Sequence, residues 1–348
     1  MATVAGALKQ TRLGISGRVG GWIFYGVPLV AFLVLILPRL FLNPGFFLQI
    51  LVFGVTDGAV LALIALGYTM VYGIIELINF AHGDIFTLGG FIGVLIFSLI
   101  GIVPGKDLNL GFLTLFVVIG VMAVTMAING GINVLIERVA YRPLRHQPRL
   151  APLITAVGMS FILEGLMFIW KGPNFIQSPD LLPGGHFTVL AANVDYRSIV
   201  LIAAALVLVV LLTVFIERTK LGKAMRATAQ DRDAAQLMGI DINRTISATF
   251  FIGAALAAAG GILYGFYLHN FRFDTGFITG LFAFTAAVLG GIGNIRGAAL
   301  GALLIGLIRA FNDGYGRSEW SDVLIFAILV YVLVFRPTGL LGMQVPEK

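Results

Sequence analysis

Cysteine is absent from this chain. That excludes disulfides, thiolate metal sites and a thiol nucleophile, and it leaves the redox compartment open. Histidine occurs four times. His146, His186 and His269 fall in scattered polar segments away from His82, so no metal-ligand set is expected. Charge is scarce too: Asp, Glu, Lys and Arg make up 11% of the residues, against about 25% in ordinary soluble domains. No G-x-x-x-x-G-K-[ST] run occurs, because Gly222-Lys223 lacks both the upstream glycine and the following hydroxyl. "GGIGNIRG" (290–297) has G-x-G-x-x-x-G spacing and lies between short apolar runs rather than after a strand. No Ser-His-Asp constellation appears either. A self-contained ATPase is excluded, an intramembrane enzyme is disfavoured, and no cofactor or metal is expected in the chain itself.

What is present is apolar. Twenty uncharged residues (20) separate Arg18 from Arg39, 21 separate Asp84 from Lys106 and 29 separate Asp107 from Glu137. A further 19 separate Arg197 from Glu217, and 27 separate Arg244 from Arg272. A bilayer core of about 30 Å needs roughly 20 apolar residues as helix, so each gap is long enough to span. Backbone groups in hydrocarbon must be satisfied internally, and the weak alternation and abundant Ala, Leu and Gly favour helices over a barrel. The expected fold class is all-α: a polytopic transmembrane helical bundle of about ten spans (8–10), with inverted-repeat-like, interrupted helices. The expected spans are 22–41, 47–73, 84–102, 111–136, 150–170, 198–216, 246–267, 277–293, 297–312 and 320–336. Those at 277–293 and 297–312 are short, and read either as two short helices or as a partly re-entrant pair. The first apolar run reads as an uncleaved helix rather than a signal peptide. A cytoplasmic N-terminal segment (1–21), one permease-like domain (22–341) and a short tail (342–348) follow.

The charges orient this bundle. Lys9, Arg12 and Arg18 precede the first span, and Arg138, Arg142, Arg145 and Arg149 stand against Glu137 in the 137–149 loop. The 217–244 loop carries six basic residues against four acids, whereas 103–110, 171–197 and 313–319 are near neutral. The positive-inside rule then places both termini and the two basic loops in the cytoplasm. The outer segment 171–197, rich in Pro and Gly, either caps a pathway or touches a partner, or is a passive loop.

Polar residues gather at "INFAHGDIFTLGG" (78–90), preceded by Glu76. Gly83 is expected to permit a turn there. For Asn79 and Asp84, helix capping, a proton relay and a place on a transport pathway are all open. Glu164, mid-span, either pairs inside the bundle or lines a path. A faint repeat supports a pathway: Tyr72-Gly73 is followed by Asn79-Phe80 and Asp84, and Tyr264-Gly265 by Asn270-Phe271 and Asp274. The two units would run in opposite directions, the arrangement in which transporters place pathways at broken helices. Small residues spaced four apart (Gly54 and Gly58; Ala257, Gly261 and Gly265; Gly89 and Gly93; Gly276 and Gly280; Gly297 and Gly301) read chiefly as close helix packing. The candidate pathway residues are Tyr68, Tyr72, Asn79, His82, Asp84, Asn270 and Thr285.

The most informative polar stretch is 217–244. Lys220 to Met238 is expected as one amphipathic helix ended by Gly239. A face running from Ala227 through Gln230 or Asp231 to Ala234 and Met238, with Ala235 beside it, suits docking into a partner's groove.

Five stretches carry a family resemblance: "ALGYTMVYGIIELINFAHGDIFTLGGF" (65–91), "ERVAYRPLR" (137–145), "LITAVGMS" (153–160), the run from Leu221 to Gly261, and "AFTAAVLGGIGNIRGAALGALLIG" (283–306). Together they resemble permeases of branched-chain amino-acid ATP-binding-cassette importers, the LivH type. "DAAQLMG" (233–239) matches the E-A-A-x-x-x-G spacing by which such permeases engage their ATPases, with Asp233 in the Glu position; the I-x-L-P continuation is missing. The resemblance implies a transport subunit of a prokaryotic inner membrane. Its partners would be a second, homologous or identical, permease, two cytoplasmic ATPases holding ATP and Mg, and an extracytoplasmic solute-binding protein. Ala227, Asp233, Ala234, Ala235, Met238 and Gly239 would form the ATPase contact. Urea and short-amide permeases share these motifs, and an ion-coupled carrier is the alternative from another class.

Overall fold

The computed structural model describes the chain apart from residues 1–25, 27–29, 31–33, 35, 106–110, 112, 146, 149, 183 and 343–348. The expected N-terminal segment, most of the first expected span, His146 and nearly all of the 342–348 tail lie outside the described residues. The element order is α1 (Leu37–Leu42), α2 (Pro44–Ile75), α3 (Ala81–Leu99), α4 (Leu113–Ile136), α5 (Leu150–Lys171), β1 (Ile176–Gln177), β2 (His186–Val189) and β3 (Ala192–Asp195). It continues with α6 (Tyr196–Arg218), α7 (Lys220–Gln230), α8 (Arg232–Leu237), α9 (Ile242–Leu268), β4 (Asn270–Phe271), α10 (Thr275–Gly290), α11 (Ile295–Tyr315) and α12 (Ser321–Phe335). Among the described residues, eight helices are long and apolar enough to cross a membrane, and α10, at 16 residues, is not.

The two longest spans form the centre. Asn43 caps α2, accepting from the Phe46 N–H at 3.1 Å, and Pro44 occupies the first turn, where its missing N–H costs nothing. No polar stripe interrupts α2 or α9, and both are buried on nearly every side. They cross antiparallel: a Cβ added at Gly253 would lie 3.4 Å from the Gly67 Cα, and one at Gly260 3.5 Å from the Leu63 Cβ. Around them the packing is exchanged between two units. α11 lies antiparallel against α2, where Cβ atoms at Gly54 and Gly58 would come within 2.9 and 2.8 Å of the Leu307 and Leu303 Cα atoms. α4 lies antiparallel against α9, held by Asn129 and Asn133, whose amides donate to the Ala254 and Phe250 carbonyls at 3.1 and 2.8 Å. Small residues at these seams let backbones approach closely. α5, α6 and α12 are mostly exposed and form the lipid- or partner-facing rim.

After both α2 and α9 the chain turns back into the bundle before the next helix starts. His82, in the first turn of α3, lies against Gly67, although α2 continues eight residues further, to Ile75, which is about 12 Å. Residues 76–80 therefore climb back into the bundle before α3 starts. On the other side α9 ends at Leu268, and the chain returns past Gly265 and Gly90, each 3.0 Å (from an added Cβ) from the Phe271 ring. α10 then starts against Gly83 and Thr87. α3 and α10 overlap antiparallel inside the bundle, with Gly276 and Gly280 against Gly83.

Three expectations about local structure change. The turn after α2 is made by Glu76, which takes the left-handed conformation at φ 54° and donates its N–H to the Tyr72 carbonyl at 2.8 Å; Gly83 is helical, and its missing side chain admits α10 instead. The expected 137–149 loop is helical to Leu144, through a π-turn (Glu137–Tyr141) and a 3₁₀ turn (Arg142–Leu144). The expected Lys220–Met238 helix is two helices, because Asp231 is extended (φ −156°) and its carboxylate caps α8 by accepting from the Asp233 and Ala234 N–H groups, both at 3.0 Å.

Candidate functional site

The break between α2 and α3, residues 76–80, and the first turn of α3 carry the polar cluster. Asn79, His82 and Asp84 are all buried within the chain. Neither carboxamide nor carboxylate caps α3, whose N-terminus has no side-chain cap; the capping role is corrected on that point. Asn79 Oδ1 accepts from the Tyr141 hydroxyl at 2.8 Å. Asp84 accepts from Ser160 on α5. The rings of Tyr68 and His82 meet edge to face with centroids 4.8 Å apart, and Phe284 of α10 packs on Tyr68 from the other side at 6.2 Å. Among the described residues, Asn79 Nδ2, Asp84 Oδ1 and Thr87 Oγ1 make no hydrogen bond, and the only polar partner of the His82 ring is backbone, that of Ile64. Buried groups of this kind are costly to leave unpaired, and α4 carries others at Thr125, Asn129 and Asn133. Thr285 is buried nearby and donates to the Leu281 carbonyl at 2.9 Å, its own helix's backbone. Tyr72 is only partly buried.

The break after α9 is built differently, so the repeat is one of backbone and not of side chains. His269 ends α9 in the left-handed conformation (φ 63°), as Glu76 ends α2. Asn270 does not match Asn79: it is exposed and pairs in the short antiparallel ladder with Gln177, so it is no partner of the buried cluster. The 171–197 segment is thereby tied to the break after α9. Arg197 adds to the tie, with Nη1 2.6 Å from His269 Nε2 and Nη2 2.5 Å from Asp180. Beside it a cavity of about 330 Å³ is lined by Gln49, Phe53, His186, Asn193, Asp195 and Arg197.

Next to the α2–α3 break lies a network that the sequence pattern does not reveal. Glu137 is wholly buried and accepts from Arg142 (Nε 3.2 Å, Nη2 3.0 Å), from Arg145, and from Ser247 of α9 at 2.7 Å. Arg145 also donates to Asn243 at 2.7 Å. Burial lowers the Arg145 guanidinium from its ordinary pKa, and the Glu137 carboxylate opposes that shift. The only signal in the sequence was an acid at the head of a basic run, and positive-inside charge counts hide such pairing.

The candidate ATPase-contact residues separate into two groups. Gly222, Met225 and Thr228 turn α7 toward the bundle, and so does Ala235 on α8, at 3% exposure. Ala235 therefore packs inward, contrary to the expected face. Asp233 and Ala234 are exposed, as are Leu237 (88%) and Met238 (83%), while Ala227 is partly buried. Gly239 takes φ 84°, a conformation that disfavours any side chain, and its N–H closes on Gln236 at 3.0 Å. Of the intramembrane acids, Asp57 faces Arg309 of α11 at 3.7 Å. Glu164 is half-buried one turn beyond Ser160, between exposed Phe161 and Phe168.

A short helix, α10, that meets the start of the membrane-length α3 inside a polytopic bundle, beside buried polar groups, is the architecture of a membrane permease. The family model described as "Branched-chain amino acid transport system / permease component" matches residues 50–333. The chain is 42% identical over 306 residues to the high-affinity branched-chain amino acid transport system permease protein BraD of Pseudomonas aeruginosa, covering 87% of this chain and 98% of that one. It is 40% identical over 308 residues to the corresponding permease protein LivH of Escherichia coli K12, with the same coverage. A probable branched-chain amino acid transport permease protein, LivM of Methanocaldococcus jannaschii, is 28% identical over 192 residues, 47% of this chain and 53% of that one. No solved structure matches. The chain belongs to the family of branched-chain amino acid transport permeases, as a multi-pass membrane subunit.

Proposed function

We propose that this permease works in an ATP-binding-cassette importer that carries branched-chain or related hydrophobic amino acids into a prokaryotic cell. The observation that carries the reading is the α7–α8 pair: a chain without a nucleotide motif presents an exposed apolar patch (Ala234, Leu237, Met238) on helices anchored to its bundle. An exposed pair of large apolar side chains on an otherwise polar loop suits a partner surface, and here that partner is a cytoplasmic ATPase holding ATP and Mg. A second permease, homologous or identical, would cover part of the rim of α5, α6 and α12, and an extracytoplasmic binding protein would deliver substrate to the side of the 171–197 segment. Both termini and the α7–α8 pair are cytoplasmic in this reading. The buried cluster at Tyr68, Asn79, His82 and Asp84 is the part of the chain that changes during transport, and Tyr72 and Thr285 flank it. Asp57 already faces the permanent cation of Arg309, which leaves it poorly suited to bind a coupling ion.

The test is uptake by the reconstituted complex. ATP-dependent leucine uptake that survives collapse of ion gradients and is not competed by urea supports the proposal. Urea uptake without leucine uptake would move the chain to the amide permeases, and gradient-driven, ATP-independent uptake would make it a carrier.

A further inference from the structure

We infer that Arg232 is the strut by which the cytoplasmic helix pair moves the break between α2 and α3. The inference rests on the ATPase-docking role proposed for α7 and α8. Arg232 is the first residue of α8, directly after the Asp231 cap, and its guanidinium donates twice to the Ile74 carbonyl (Nε 3.3 Å, Nη2 2.8 Å), 158 residues away in the chain. Ile74 is the penultimate residue of α2. Glu76 closes only the Tyr72 carbonyl, so the Ile74 oxygen has no intrahelical donor and lies at the negative end of the helix dipole. A cation with two donors in one rigid plane satisfies it and resists rotation as well as separation. A lysine, one ammonium on a flexible stem, would resist only separation.

The other end of the break is held by a different element. Asn79 accepts from Tyr141, and Tyr141 belongs to the π-turn that also contains Glu137. The Glu137 network fastens that turn to the start of α9 through Ser247 and, by way of Arg145, through Asn243. Residues 75–78 are thus suspended between a guanidinium on α8 and a hydroxyl on the π-turn that follows α4. Any displacement of α8 relative to the α4–α9 base acts on this segment, and the segment leads directly into the α3 turn that carries His82 and Asp84. Glu76 already sits in a sparsely populated conformation, where a hinge can take up the change. Arg232 is in this account a positioning residue: it touches neither substrate nor nucleotide.

The test uses the assembled complex with its ATPases and binding protein. Arg232→Met should leave co-purification of the ATPases and basal ATP hydrolysis at wild-type values, while import per ATP hydrolysed falls about tenfold or more, the loss expected for a charge-assisted bond pair. Arg232→Lys should recover part of that ratio. The absence of cysteine allows spin labels on Leu77→Cys and Gln236→Cys alone. In an otherwise wild-type chain their separation should stay constant when ATP is trapped, and in Arg232→Met it should change, because α8 then moves without the break. An unchanged import-to-hydrolysis ratio in Arg232→Met, or loss of the ATPases on purification, overturns the inference, the latter by making Arg232 part of the docking fold. If even the wild-type complex shows no substrate-stimulated hydrolysis, it is the importer reading that fails.

Discussion

Replacing Glu137 by alanine tests whether the end of the bundle formed by α4 and the start of α9 is held by one buried carboxylate. The side chain is fully buried and accepts four bonds: two from Arg142, one from Arg145 and one from Ser247. Breaking a buried ion pair by removing one partner costs about 3–5 kcal/mol, because the remaining charge stays desolvated. Here the Arg142 side chain is 34% exposed and can turn to water, whereas that of Arg145 is 14% exposed and has fewer routes out. Screening of the first guanidinium reduces the expected cost to about 3 kcal/mol, a factor of roughly a hundred in the local opening equilibrium. Amide hydrogen exchange in detergent reads that directly. Protection at 137–145 and at the first turn of α9 should fall about a hundredfold in Glu137→Ala, while the centres of α2 and α9 keep theirs. Glu137→Gln, which retains one acceptor oxygen, should fall between. Exchange within about threefold of wild type in both regions would mean that the guanidinium groups find equivalent partners, and the account of this network would be wrong.

Three further outcomes follow from the same geometry. Cysteines placed singly at Arg142, Lys223 and His186 should react with an impermeant maleimide from the cytoplasmic side for the first two and from outside for the last; labelling of position 223 from outside would invert the proposed topology. Gly58→Leu forces a side chain into the Leu303 backbone, 2.8 Å from the added Cβ. Overpacking costs about 1–3 kcal/mol and more against backbone, so the variant should lower the thermal midpoint in detergent, and a midpoint equal to that of wild type would show that α11 is free to move away from α2. Asn79→Leu leaves the Tyr141 hydroxyl without its acceptor inside the bundle, so import should fall while binding-protein affinity is kept; Asn270→Leu, at an exposed ladder position, should change import less than twofold, and equal losses in the two would restore the idea that they are equivalent.

How much of this was legible in the chain depends on the range of the interaction. Charge gaps longer than a bilayer is thick determine that helices span it, and small residues four apart determine where backbones approach, because both are properties of a single helix. Gly239 was readable as a stop for the same reason: a left-handed residue after the last turn is a local requirement. The Tyr-Gly and Asn-Phe echo rightly indicated two breaks of opposite direction. It misplaced Asn270, because similar letters lie in a buried return on one side and in a surface ladder on the other.

Only the tertiary structure decided which partner each polar group has. Tyr141 meets Asn79, Ser160 meets Asp84, Arg232 meets Ile74, and Glu137 gathers donors from two helices; every one of these except the Glu137–arginine pairs spans more than sixty residues of chain. Ala235 faces inward and Leu237 outward because Asp231 divides the expected single helix and resets its register. Helical periodicity describes a face only within one unbroken helix. In a chain with so few charges, the pairing of these side chains is set by the packing of distant helices, and no local pattern carries that information.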